Sequence, residues 1–129
     1  MSKRLEFNNF KAKVDAGKLS VDFTHEFRPF KDEDIVVKCD YLKNGTLMKY
    51  AKRDGIFDME RIFIDSVKEI KGLDIEVNGE EIEPTAENLC NIPFGATEGQ
   101  AFISTLIVTV ATHIISGDTL NEDEVKNFD

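Results

Sequence analysis

The chain is predicted to be an α+β protein with N-terminal antiparallel β hairpins, a meander, packed against C-terminal helices. Three observations lead there. Residues 19–27, LSVDFTHEF, alternate apolar and polar side chains, with His25 in the apolar row beside Val21, Phe23 and Phe27; that period of two is a half-buried strand. Two Asn-Gly pairs, Asn44-Gly45 and Asn78-Gly79, supply the residues a tight hairpin turn needs. From residue 54 onward apolar residues recur mostly at helical spacing, behind recognisable capping residues. At 129 residues with 41% hydrophobic content and ten Phe, the chain suits one domain with a real core. Residues 1–53 are expected to be mainly β, 54–117 mainly α, and 118–129 an acidic tail.

Taken in order, Phe10, Ala12 and Val14 form one face of a first strand and Lys11 and Lys13 the other. Asp15-Ala16-Gly17-Lys18 is a turn, with Gly17 free to take positive φ. Residues 19–28 return as the second strand, which ends at Pro29 because proline has no amide proton for a ladder. In residues 31–53, Val37, Cys39 and Tyr41 alternate before Asn44-Gly45, and Met48 and Tyr50 after it. This predicts a second hairpin. The alternative is a helix capped by Asp32 that stops at Asn44-Gly45.

Residues 58–72 predict an amphipathic helix: Asp58 caps it, Met59, Ile62, Phe63, Ser66, Val67 and Ile70 share a face, and Gly72 takes the left-handed position after its end. Residues 73–84 follow as a short strand, an Asn78-Gly79 turn and a short return, with Leu73, Ile75 and Val77 on one side. Thr85 opens one or two helical turns that close before Pro93. A Thr97–Gln100 capping box starts the last helix, which runs to Ser116-Gly117. Its residues Phe102, Ile103, Leu106, Ile107, Val110, Ile114 and Ile115 wrap around more than one stripe. Such a helix is either central to the domain or helps to form an oligomer. The tail forms one last acidic helix or stays loose.

Composition narrows the chemistry. The net charge of −9 argues against nucleic acid as a partner. Residues 1–53 hold 12 Lys/Arg against 8 Asp/Glu, and residues 54–129 hold 4 against 17. Opposed halves of that kind steer association between unlike surfaces. The longest apolar run, residues 101–115, carries Ser104, Thr105, Thr109, Thr112 and His113 and falls short of the roughly 20 apolar residues of a membrane span. With a charged N-terminal segment, this points to a cytoplasmic protein with no membrane partner. Cys39 and Cys90 stand far apart outside any CxxC pattern and are expected to be small buried apolar residues rather than a disulfide. His25 and His113 lie 88 positions apart without metal-ligand spacing, so both read as structural and no metal or cofactor is expected. No phosphate loop, nucleophile elbow or EF-hand pattern occurs, so the chain is not expected to be an enzyme.

The run from Glu60 to Pro93, ERIFIDSVKEIKGLDIEVNGEEIEPTAENLCNIP, together with the FRPF at residues 27–30, resembles the tail assembly chaperone-like proteins of long-tailed bacteriophages and prophages. The resemblance covers residues 19–116. It implies a non-enzymatic protein of the host bacterial cytoplasm that coats the tape measure protein during tail assembly, self-associates, and is displaced by tail tube subunits. Many members are largely helical, whereas the first half here reads as strands, which leaves open a minor tail, neck or connector protein. A small acidic interaction module unrelated to phage is the further alternative. On the chaperone reading, Phe102, Leu106, Val110 and Ile114 of the last helix are the expected protein-contact residues.

Overall fold

The computed structural model describes residues 2–52 and 56–117; the expected acidic tail, 118–129, lies outside them. The fold is α+β, with antiparallel hairpin sheets in the N-terminal half and helices in the C-terminal half. Strands β1 (Ala12–Asp15) and β2 (Lys18–Val21) pair as the first expected hairpin. Its two-residue turn places Ala16 at φ 51° and Gly17 at φ 79°, the paired left-handed geometry that matches strand twist.

The alternating stretch 19–27 divides between two sheets. After β2 the chain changes partner: the Asp22 amide still donates to the Lys11 carbonyl at 2.9 Å, the Phe23 carbonyl accepts from the Tyr41 amide, and β3 (Thr24–Phe27) begins a three-stranded antiparallel sheet. The Asp22 carboxylate accepts from the Thr24 amide at 3.1 Å, a local turn that redirects the chain. Central strand β4 (Val36–Asp40) pairs with β3 on one side and with β5 (Val67–Lys71) on the other. The β4–β5 register shifts between Lys38 and Cys39, leaving Lys68 as the extra residue of a bulge.

Three expectations fail here. The return strand after Asn44-Gly45 does not form: a 3-10 turn (Asn44–Thr46) leads into the single-turn helix α1 (Leu47–Tyr50). The rival helix from Asp32 does not form either, since Val36–Asp40 is extended. The predicted helix 58–72 stops early as α2 (Met59–Ser66), and β5 starts at the next residue. The Asp58 cap is as expected, accepting from the Arg61 amide. β4, however, is the middle strand, and its second edge is satisfied by β5; that demand outweighs a helical apolar spacing which Val67 and Ile70 also satisfy as a strand.

The remaining elements follow the sequence. β6 (Ile75–Val77) and β7 (Glu80–Ile82) form a hairpin whose turn holds Asn78 and Gly79 at φ 52° and 86°. Helix α3 (Ala86–Asn91) is capped by Thr85, and α4 (Glu98–Ser116) has the complete Thr97–Gln100 capping box and Gly117 at φ 64° after its last turn. The core lies between one face of the β3–β4–β5 sheet and the helices. Val37, Cys39 and Ile70 from the sheet meet Ile62 and Phe63 of α2, Leu89 of α3 and Ile103, Leu106, Val110, Ala111 and Ile114 of α4.

Candidate functional site

The four expected contact residues of α4 do not form an outward face. Leu106, Val110 and Ile114 are buried in the core of the single chain, and Phe102 is half-buried with its ring 4.9 Å from that of Phe30. The reason is the helix's own periodicity: the spacing that unites these residues is the stripe that packs on α2 and the sheet. By length and composition α4 could cross a membrane; in this fold that stripe carries the core.

Apolar surface is instead exposed elsewhere. In the β1–β2 hairpin Val14 and Leu19 are direct cross-strand partners, 71% and 63% exposed. They share a face with Ala12 and Val21, because opposed residues project on the same side. Lys13, Asp15, Lys18 and Ser20 project from the reverse face, Asp15 directly opposite Lys18. The two strands pack chiefly on each other, so the ribbon stands off the core. Ahead of it Leu5 and Phe7 are also exposed. Lys49–Asp65 at 3.3 Å pairs the excess charges of the two halves within the chain, whereas Lys68–Asp40 at 3.5 Å pairs a cation of the acidic half with a carboxylate of the basic one.

Between β2, the start of β3 and residues 41–44 lies a groove of about 660 Å³, lined among others by Leu19, Val21, Phe23, His25, Tyr41 and Gly117. At its inner end the fold assembles a cluster that sequence spacing does not reveal. His25 of β3 is the cross-strand partner of Cys39 of β4, so both point to the core face. There α4 brings His113, whose Nε2 lies 2.7 Å from the Nε2 of His25. Cys39 Sγ lies 3.7 Å from the same nitrogen, and the three ligating atoms lie within 4.8 Å of one another.

The rings are held in place. The Phe23 carbonyl accepts from both the Tyr41 amide, at 3.0 Å, and His25 Nδ1, at 3.1 Å. A carbonyl can only accept, so Nδ1 carries the proton, and the Nε2 of a neutral His25 presents its lone pair to Cys39 and His113. His113 then donates from Nε2 across the 2.7 Å contact. His25 stacks on Tyr41 at 3.8 Å and 11°, and His113 on Phe27 at 3.8 Å and 2°. Burial, with the Asp40 carboxylate next in chain, pushes the Cys39 thiol up to about 12, so without a cation beside it Cys39 is a neutral thiol. Cys90, also a free thiol, is pushed up by burial to about 11.

A second polar cluster ties α1 to α2. The Tyr50 hydroxyl donates to Asp65 at 2.8 Å, and Lys49 and Arg61 flank the same carboxylate. Burial raises the Asp65 carboxyl, but the hydrogen bond from Tyr50 and the pairing with Lys49 and Arg61 outweigh it, and the group sits below its ordinary value. Desolvation and the hydrogen bond to Asp65 raise Tyr50.

No protein-family model, curated protein or solved structure matches the chain. The site is therefore read from its own geometry. The one sequence signal for the cluster was the parity of His25, an ionisable residue in the apolar row of a strand; the partner 88 positions away is visible only in the fold.

Proposed function

We propose that this protein is a non-enzymatic phage tail assembly factor of the host bacterial cytoplasm, which binds tail proteins such as the tape measure protein during virion assembly. The observation that carries this reading is the β1–β2 ribbon, whose apolar pair Val14 and Leu19 stands exposed. Contiguous exposed apolar surface marks interaction sites, and a two-stranded ribbon offers free edges as well. On the reverse face Lys13 and Lys18 stand with Asp15, the direct partner of Lys18, and leave a small net positive charge. This combination suits an amphipathic helix that carries carboxylates beside its apolar stripe, the kind of segment a long coiled-coil tape measure protein presents. The resemblance over residues 19–116 supplies the biological setting. The opposed charges of the chain's two halves, 12 Lys/Arg against 8 Asp/Glu in residues 1–53 and 4 against 17 in residues 54–129, support self-association that weakens with salt.

Co-expression with the tape measure protein of the same phage, followed by pull-down and mass measurement, tests the proposal. The expected result is a soluble complex of defined stoichiometry, lost in the double variant Val14→Asp, Leu19→Asp while its circular dichroism is unchanged. A tape measure protein that stays insoluble beside the wild-type chain, or that is captured equally by the double variant, overturns it.

A further inference from the structure

We infer that His25, Cys39 and His113 form a binding site for a divalent transition-metal ion of the zinc class. The inference is independent of the assembly role, and it starts from donor chemistry. Two imidazole nitrogens and one thiolate are borderline-to-soft donors, which select zinc-like ions over magnesium or calcium. The neighbouring carboxylate, Asp40, is engaged elsewhere: it accepts from Thr24 Oγ1 at 2.6 Å and pairs with Lys68. The hard oxygen ligands that magnesium and calcium require are thus not part of this donor set.

The three ligating atoms lie within 4.8 Å of one another, and one pair already stands near tetrahedral spacing. Zinc sits about 2.3 Å from sulfur and about 2.0–2.1 Å from nitrogen, so a tetrahedral site separates N and S by about 3.5 Å and two N atoms by about 3.4 Å. His25 Nε2 to Cys39 Sγ is 3.7 Å, close to that value. The two Nε2 atoms, at 2.7 Å, have to part by roughly 0.7 Å to reach it. His113 lies in the last turn of α4 and is half-buried, so a small side-chain rotation there supplies the movement.

The surroundings are those of a metal ligand. His25 donates its Nδ1 proton to the Phe23 carbonyl, the outer hydrogen bond that fixes the tautomer of a ligating histidine. Stacking on Tyr41 and Phe27 orients the two rings. The three ligands come from β3, β4 and α4, elements the core already holds together, and the groove beside His25 gives the ion a way in. Binding balances simply. Both imidazoles bind as neutral rings, His113 moving its proton to Nδ1. The Cys39 thiol loses one proton to solvent as the metal–sulfur bond forms. Water takes the fourth position, as at zinc sites with three protein ligands.

The test is a cobalt(II) titration of the chelator-stripped full chain under reducing conditions. The expected result is one equivalent bound, with a thiolate-to-cobalt charge-transfer band, discharged by zinc and not by magnesium. Cys39→Ser abolishes the band, and Cys90→Ser keeps it. His113→Gln leaves the fold intact and weakens binding on the order of a hundredfold or more, since even outer partners are worth about 10–100-fold. If Cys39→Ser fails to fold, the His113→Gln and Cys90→Ser pair decides. No charge-transfer band in the folded wild-type protein overturns the inference. So does a band that survives His113→Gln at full affinity, or one that Cys90→Ser removes.

Discussion

Replacing Gly72 by alanine separates two costs that the structure assigns to one position. Gly72 follows β5 at φ +83°, and a Cβ there would collide with the Asp34 carbonyl oxygen and stand 3.0 Å from its carbon and 3.3 Å from Ile35 Cα. The first cost is conformational: about 1–2 kcal/mol for an L side chain in the left-handed region. The second is steric. The obstructing atoms are backbone, just ahead of central strand β4, and they cannot swing aside as a long side chain does. Ile35 is itself buried, so displacing it disturbs the core, at about 1–3 kcal/mol for overpacking. Together Gly72→Ala should cost about 2–5 kcal/mol, a large part of the roughly 5–15 kcal/mol that holds a domain folded. Gly117 is the control. It shares the left-handed backbone, at φ +64°, but a Cβ there meets nothing within 4 Å, so Gly117→Ala should cost only about 1 kcal/mol. The chain has no Trp, so urea unfolding followed by far-ultraviolet circular dichroism is the suitable assay. Equal losses in the two variants would show that the approach of the 71–73 turn to Asp34 carries no energy, and the reasoning would fall.

Leu106→Ala should destabilise by about 2–5 kcal/mol because the side chain is fully buried, while Val108→Ala, two residues along the same helix and 54% exposed, should stay within about 0.5 kcal/mol; equal urea midpoints would mean that the buried stripe is misplaced. The lowered Asp65 carboxyl contributes stability that is complete above its unfolded value near 3.8 and is lost as pH falls through the folded one. Wild-type protein should therefore lose more stability than Asp65→Asn between about pH 5 and pH 3, as read by denaturant titrations at each pH. At about 11 against its ordinary 9.0, Cys90 holds about a hundredfold less thiolate at pH 8 than an unperturbed thiol. Its alkylation, followed by mass spectrometry, should be slower by a similar factor in folded than in urea-unfolded protein.

Much of the fold was legible because its signals are local. Both tight hairpins, the Asp58, Thr85 and Thr97 caps and the Gly117 end of α4 need only neighbouring residues to work, whereas Gly72, expected to end a helix, follows β5. The failures lie where a distant partner decides. Asn44-Gly45 looked like a hairpin turn, but its return strand never forms and Tyr50 packs beneath α2 instead, reaching Asp65. Val67 and Ile70 fit a helix face and a strand equally, and β4 chose between them. The apolar content of α4 was plain, but which stripe would be covered depended on α2 and the sheet; hence Leu106, Val110 and Ile114 turned inward. The cluster of His25, Cys39 and His113 was the least legible of all, since nothing local links a strand histidine to one at the far end of the last helix.

The change from α2 to β5 between Ser66 and Val67 leaves no spare backbone between a helix and the sheet it packs on. A hinge needs slack, and here none exists: Val67 ends the helix by donating its amide to Phe63 and at once aligns with Cys39. Loosening the sheet edge must therefore drag on the helix. Amide exchange should find the two elements opening together at one free energy, while the β1–β2 and β6–β7 ribbons breathe on their own. Any partner that grips a ribbon can then bend it without straining the centre of the molecule.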